Sequence, residues 1–245
     1  MKKILIVLLS LFVLVNLNVN AYGFGFKKNE NHVKPDIGIY EKILSNTDSY
    51  YVGSDEKVIY LTFDAGYDNG TLSKILDTLK EKNVKSTFFV TGDFLNREGE
   101  LTNRIISEGH LIGNHTYGHK NITKLSDESI VNEIQKLENK YKEITGNEMV
   151  KLFRPPEGEF DERSLSVVKN LGYKTFFWSV AYDDWNTNVK KGAEYGYNKV
   201  MNNIHNGAII LLHTVSIDNA QALPIIIDDL RNQGYEFKNL DEFKA

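Results

Sequence analysis

The segment Val58-Ile-Tyr-Leu-Thr-Phe-Asp-Ala-Gly-Tyr-Asp-Asn-Gly70 decides how the rest of the chain is read. It starts as an apolar run of β-branched and aromatic residues, the pattern of a buried strand. It ends at Asp64, soon followed by glycines and Asn69, the pattern of a loop. Folds that alternate parallel strands with helices gather their chemistry at the carboxyl ends of the strands. Taken alone, Asp64 reads first as the cap of a turn. Its company changes that reading: His115, His119, Arg154, Asp184 and His213 each follow a strand-like segment of their own.

Outward from Asp64 the alternation continues. Leu72, Ile75, Leu76 and Leu79 recur at helical spacing. Residues 86–91 form the next expected strand. A helix over residues 101–108 stops at Gly109, and a short strand at Leu111 runs into Asn114 and His115. Ser126 can cap a long helix to Lys142, with Asp127 and Glu128 at its positive end and Ile130, Ile134, Leu137 and Tyr141 as its buried stripe. Leu152-Phe153 leads into Arg154-Pro155-Pro156-Glu157-Gly158, where the prolines exclude a helix interior. A helix from Asp161 to Leu171 precedes a strand over residues 175–180. Residues 209–212 are strand, residues 223–230 helix and residues 235–240 strand. About seven strand–helix units imply a parallel α/β sheet, either an irregular, incomplete (β/α) barrel or an open doubly wound sheet. The absence of a glycine-rich nucleotide fingerprint favours the barrel.

The 245 residues, 41% of them hydrophobic, suffice for one large domain. A net charge of −4 argues against nucleic acid as a partner, and the absence of cysteine excludes disulfides, thiolate metal sites and a cysteine nucleophile. Lys2, Lys3, the apolar run from Ile4 to Val15 and the small residue Ala21 make residues 1–21 an expected secretory leader, which puts the body of the protein in the cell envelope or outside it. Residues 22–56 lack clear periodicity and read as a linker or an arm laid over the domain of residues 57–245.

Each site residue has an ordinary alternative. His115 and His119 are four apart, so one helical turn would bring their rings together to share an ion, but the spacing alone is a weak signal. His213 ends an apolar run and reads equally as a hydrogen-bonded core histidine. Asp184-Trp185 reads equally as a turn with a packing tryptophan, and Arg154 as a surface ion pair. His110 and His205, beside glycines at element ends, carry no expected function. All five segments fall just past strand ends, and strand ends in such folds converge on one face.

Together, Thr62-Phe63-Asp64, His115 to His119, Arg154-Pro155-Pro156 with Gly158, Asp184-Trp185 and Leu211-Leu212-His213 resemble, in order, the motifs of the polysaccharide deacetylases of carbohydrate esterase family 4. The resemblance runs from about Lys57 to the end and implies an incomplete α/β barrel that hydrolyses N-acetyl groups with a divalent metal, usually zinc. It implies Asp64 as general base, His213 as general acid, and His115 and His119 as metal ligands. Arg154 would orient Asp64, Asp184 would tune His213, the backbone N–H of Glu157 would hold the oxyanion, and Trp185 and Leu211 would wall the acetyl pocket. The family usually has tyrosine where Glu157 stands, a change that a backbone donor tolerates. It also has a second, metal-binding aspartate where this chain has Ala65, so a weaker ion site is expected, with water or Asp68 as a further ligand.

The run from Asp64 to Gly70, with Leu211 to Ala220, resembles the delta-lactam-biosynthetic de-N-acetylases of spore-forming bacteria. That narrower resemblance implies N-acetylmuramic acid of peptidoglycan as substrate, with the freed amine closing to muramic δ-lactam in the spore cortex. The competing expectations are deacetylation of N-acetylglucosamine in peptidoglycan or chitin-like oligomers, and a secreted glycan-binding module that has lost catalysis.

Overall fold

The computed structural model describes residues 21–27 and 31–245. The expected leader, apart from its last residue, lies outside the described residues. An arm carries β1 (Tyr22–Gly23), α1 (Tyr40–Asn46) and β2 (Ser49–Tyr50). Strands and helices then alternate: β3 (Val58–Ala65), α2 (Leu72–Glu81), β4 (Thr87–Val90), α3 (Gly92–Arg97), α4 (Gly99–Ser107), β5 (Leu111–Asn114), α5 (Asp127–Thr145) and β6 (Leu152–Phe153). The second half holds β7 (Glu159–Phe160), α6 (Glu162–Asn170), β8 (Lys174–Phe176), α7 (Ala193–Met201), β9 (Ile209–His213), α8 (Ile217–Asn232) and β10 (Glu236–Phe237).

β3 is the spine. All eight of its residues are buried, as expected of a parallel strand covered on both faces. It pairs in parallel with β4 on one side and β9 on the other. From β4 the order runs β5, β6, β8, β2. The chain just past β8 then meets β9: the Ser179 N–H donates to the Ile209 carbonyl at 3.0 Å and the Leu211 N–H to that of Val180 at 2.9 Å. The sheet therefore curls back on itself and closes through isolated bridges, Val180 with Ile210 and Val52 with Ala208, rather than through a strand pair. This is the incomplete barrel expected from the sequence, and it excludes the open sheet. Away from that seam, β6 is only two residues long, because Pro155 and Pro156 follow Phe153 and Arg154 and cannot donate to a ladder.

Side-chain alternation along β3 places the site. Ile59, Leu61 and Phe63 face outward into a cluster with Leu72, Ile75, Leu76 and Leu79 of α2 and Leu223, Ile226 and Ile227 of α8. Val58 and Tyr60 face the barrel interior with Phe89, Leu152, Phe176 and Ile209. By the same period of two, Thr62 and Asp64 also point inward, at the carboxyl end of the strand. α2 starts where Asp68 caps it, its Oδ1 accepting from the Leu72 N–H at 3.1 Å and its Oδ2 from the Gly70 N–H at 2.9 Å. α5 starts at Ser126, whose side chain accepts from the Ser129 N–H, and ends at Gly146 with φ 73°.

Several elements differ from expectation. Regular strand stops at Phe176, so the expected strand over residues 175–180 survives only as β8 and the later bridge at Val180. Helices α3 and α7 have too few apolar repeats to be seen in the sequence. α3 is short, and Thr91 caps it by accepting from the Phe94 N–H at 3.3 Å. The arm is stitched into the body. β2 joins the main sheet beside β8, β1 pairs antiparallel with β7, and Phe24 stacks on Phe177 with ring centroids 4.4 Å apart.

The arm's contribution is measurable. Phe24→Ala removes a buried ring in contact with Phe177, Phe160 and Trp178, and is expected to lower unfolding stability by about 3 kcal/mol in a urea titration. A cost under about 0.5 kcal/mol would show that the arm lies on the domain without supporting it.

Candidate active site

The strand ends converge as the alternation requires. Asp64 and His213 occupy paired positions on adjacent strands, and the Asn114 that precedes His115 is paired with the Phe153 that precedes Arg154. Arg154 has no exposed surface. Its Nη1 donates to Asp64 Oδ1 at 2.9 Å, its Nη2 to Thr62 Oγ1 at 2.9 Å and to the Phe177 carbonyl at 3.2 Å, and its Nε to the Phe176 carbonyl at 3.0 Å. Its guanidinium stacks 4.2 Å from the centre of the Phe89 ring. The reading of Arg154 as a surface ion pair is thereby excluded.

The histidines divide into two environments. His115 is buried, and its Nδ1–H donates to the Arg154 carbonyl at 2.8 Å, since a carbonyl can only accept. That leaves the Nε2 lone pair facing Asp64 Oδ2 at 3.5 Å. Burial drives the His115 imidazole down to about 4, against the pull of the Asp64 charge. It is therefore neutral, the form that binds a metal. His213 Nδ1 donates to Asp184 Oδ1 at 2.6 Å, and the His213 N–H to Asp184 Oδ2 at 2.8 Å. Burial works against the charged ring, but the hydrogen bond and charge of Asp184, with the Asp64 charge behind them, raise His213 above the ordinary imidazole value. Burial would likewise raise the Asp64 carboxyl, yet Arg154, His115 and His213 outweigh it and hold that carboxyl below the usual range.

His119 joins His115, with ring centroids 4.9 Å apart, but not through a helical turn. Residues 115–121 form a loop with Thr116 at φ 62° and His119 at φ 50°, both in the left-handed region that costs a side chain energy. The loop is held from below by Glu133 of α5. One oxygen accepts from the Gly118 N–H at 2.6 Å and the other lies 2.9 Å from Lys120 Nζ. Two acceptors, His115 Nε2 and Asp64 Oδ2, thus face one another beside a second imidazole, an arrangement that suits a divalent cation. The donor set is lean. Ala65 offers no ligand, and no group of three or more His, Cys, Asp or Glu placed to hold an ion occurs among the described residues. Asp68 is not among the residues lining the cleft, and its oxygens accept from the Gly70 and Leu72 N–H groups.

These groups open into a cleft of about 1120 Å³ lined by Tyr67, Tyr117, Trp178, Trp185 and Phe26 as well as by Asp64, His115, His119, Glu157, Leu211 and His213. Glu157 has φ 60°, in the left-handed region, and lines the cleft. Trp185 is 60% exposed and Tyr67 44%, flat faces suited to a sugar ring. Sequence alone assigned no role to Thr62, Glu133, Trp178 or the arm residue Phe26. It also missed Asn219, whose amide donates to Asp184 Oδ2 while Tyr182 donates to its carbonyl. Thr62, two positions before Asp64 on an inward-facing strand, was the one legible from alternation alone. His110 and His205 lie outside the cleft. His110 Nδ1 accepts from the Ser86 N–H at 3.2 Å, and His205 Nε2 pairs with Ser179 Oγ at 2.9 Å.

Residues 52–176 match the family described as polysaccharide deacetylase. The chain is 45% identical over 218 residues to the peptidoglycan-N-acetylmuramic acid deacetylase PdaA of Bacillus subtilis, which covers 88% of this chain and 83% of that protein. It is 34% identical over 199 residues to a peptidoglycan-N-acetylglucosamine deacetylase of Bacillus cereus, covering 79% of this chain and 91% of the other. The solved structure of Bacillus subtilis PdaA, described as a family 4 carbohydrate esterase, superposes with a TM-score of 0.89 at 44% identity over 91% of this chain and 96% of the other.

The histidine environments predict a titration. Asp184→Asn removes the charge that sustains the His213 imidazolium, so the His213 pKa followed by NMR is expected to fall by about one unit or more. An unchanged pKa would show that Asp184 positions the ring without tuning it.

Proposed function

The chain belongs to the polysaccharide deacetylase family, and from that membership and the site geometry we propose that it removes the acetyl group from N-acetylmuramic acid in peptidoglycan. One observation carries the reading. Two titratable groups on adjacent strand ends are pushed apart, the Asp64 carboxyl lowered and the His213 imidazole raised from their ordinary values, across a cleft wide enough for a sugar.

Hydrolysis of an acetamide adds water across the C–N bond. A water oxygen bonds to the carbonyl carbon, the C–N bond breaks, and acetate and an amine leave. Asp64 Oδ2 is free of the bond that commits Oδ1 to Arg154, so it accepts the proton of the attacking water. Glu157 lines the cleft, and in this reading its backbone N–H donates to the developing oxyanion. His213 keeps Nδ1 on Asp184, which turns Nε2 toward the cleft as the donor that protonates the departing nitrogen. Leu211 and Trp185 bound the acetyl group. His115 and His119 would hold a divalent ion, zinc in this reading, which when bound lowers the pKa of water towards about 7 and polarises the carbonyl.

The freed amine then closes on the lactyl carboxylate of the same sugar with loss of water, giving the muramic δ-lactam of a spore cortex. A substrate in the wall and the apolar start of the chain support action outside the cytoplasm. Preference for muramic acid over glucosamine rests on the 45% identical relative, set against the 34% identical one.

The test supplies the purified chain and zinc with peptidoglycan glycans stripped of stem peptides, with glycans still carrying them, and with glucosamine-only oligomers, and follows loss of one acetyl group by mass. Acetyl loss from peptide-free muramic acid is expected, and loss confined to glucosamine sugars would replace this reading with the other. Asp64→Asn and His213→Ala are each expected to cut turnover about 10³-fold with the fold intact. Ala65→Asp should tighten zinc binding about tenfold in calorimetry, and unchanged affinity would show that another residue completes the ion's shell or that position 65, buried in the apolar cluster with α2, keeps its side chain out of the cleft.

A further inference from the structure

The cleft has a satellite. A pocket of about 290 Å³ adjoins it, sharing Asn186, Thr187 and Val215 as a common wall, and continues past Asn69, Lys74, Lys190 and Asp218. Its floor includes Asp184, the partner of the catalytic imidazole, so it opens directly beside the reacting centre.

The two cavities differ in charge. Asp64, Asp93, Glu157 and Asp183 line the cleft, and no lysine or arginine does so among the described residues. Lys74 and Lys190 line the satellite from opposite elements, one on α2 and one on the loop before α7. Neither amine meets a carboxylate among the described residues. The acids there are already engaged. Asp184 holds His213 and Asn219, and Asp218 Oδ2 accepts from the N–H groups of Lys191 and Gly192 at 2.7 and 3.0 Å. The satellite is thus the place beside the reacting centre with cationic side chains left to bind an anion.

We propose that Lys74 and Lys190 bind the free lactyl carboxylate of the substrate sugar, so that this pocket distinguishes muramic acid stripped of its peptide from muramic acid that still carries one. The inference rests on the functional reading above. The lactyl group hangs from the ring carbon next to the one bearing the acetamide. A sugar seated with its acetamide between Asp64 and His213 must therefore send that group into an adjoining space. With a stem peptide attached, the carboxylate has become an amide without charge. It gives the lysines nothing to pair with, and it brings a chain that a small pocket must exclude.

The experiment compares two glycans with the full, zinc-loaded chain: a peptide-free muramic acid glycan, and the same glycan with its lactyl carboxylates converted to primary amides. Wild type is expected to show a KM about tenfold lower for the carboxylate form, an advantage that shrinks as salt is raised. The double variant Lys74→Gln/Lys190→Gln is expected to lose that advantage while its kcat and its KM for the amide form stay unchanged. Both side chains are exposed, so the fold should tolerate the change. Equal KM values in wild type, or an advantage that persists in the double variant, would overturn the inference and leave the functional reading standing. Acetate release from neither glycan would overturn the functional reading itself, and this inference with it.

Discussion

A buried guanidinium holds the site and the barrel together. Arg154 reaches across the barrel interior to Thr62 and Asp64 of β3 and to the carbonyls of Phe176 and Phe177 at the end of β8. Removing both charges of such a pair from water costs several kcal/mol per ion, and only close geometry with the remaining donors satisfied offsets it. Here four hydrogen bonds and a stacked phenyl ring meet that condition. The pair also fixes one oxygen of Asp64 and leaves the other turned to His115 and the cleft. The two-residue strand ahead of the prolines is thus tied across the barrel by the residue that holds Asp64.

The same economy governs the two imidazoles. His115 gives its Nδ1–H to the Arg154 backbone and stays neutral, whereas His213 gives its own to a carboxylate that raises its pKa. One residue type takes two different charge preferences because each ring's Nδ1 meets a different partner. Glu133 extends the pattern. A helix packed beneath the loop spends a carboxylate on Gly118 and Lys120, and so holds His119 in a strained backbone that its own sequence would not choose.

Much of this was legible in the chain. The alternation of apolar runs gave the barrel. The position of each polar residue just past a run gave the convergence of Asp64, His115, Arg154, Asp184 and His213. The illegible parts share a cause: they depend on contacts distant in sequence. Four-residue spacing suggested a helical turn for His115 and His119, but positive φ at Thr116 and His119, sustained by a glutamate on another element, brings the rings together instead. Asp68 carried the right chemistry for a ligand, and its nearest backbone N–H groups claimed it. The arm looked featureless because its strands are two residues long and its packing rests on single aromatics such as Phe24 and Phe26. Asn219 and Tyr182 lie 35 and 37 positions apart from the partners they serve.

The central claim is that Arg154 keeps Asp64 ionised despite its burial. It is tested most directly by carbon-13 NMR titration of the Asp64 side-chain carboxyl in the folded protein. The account predicts that the resonance stays in its ionised position at every pH above about 4 at which the fold persists. A midpoint above that, near the values of carboxyls buried without a partner, would contradict it.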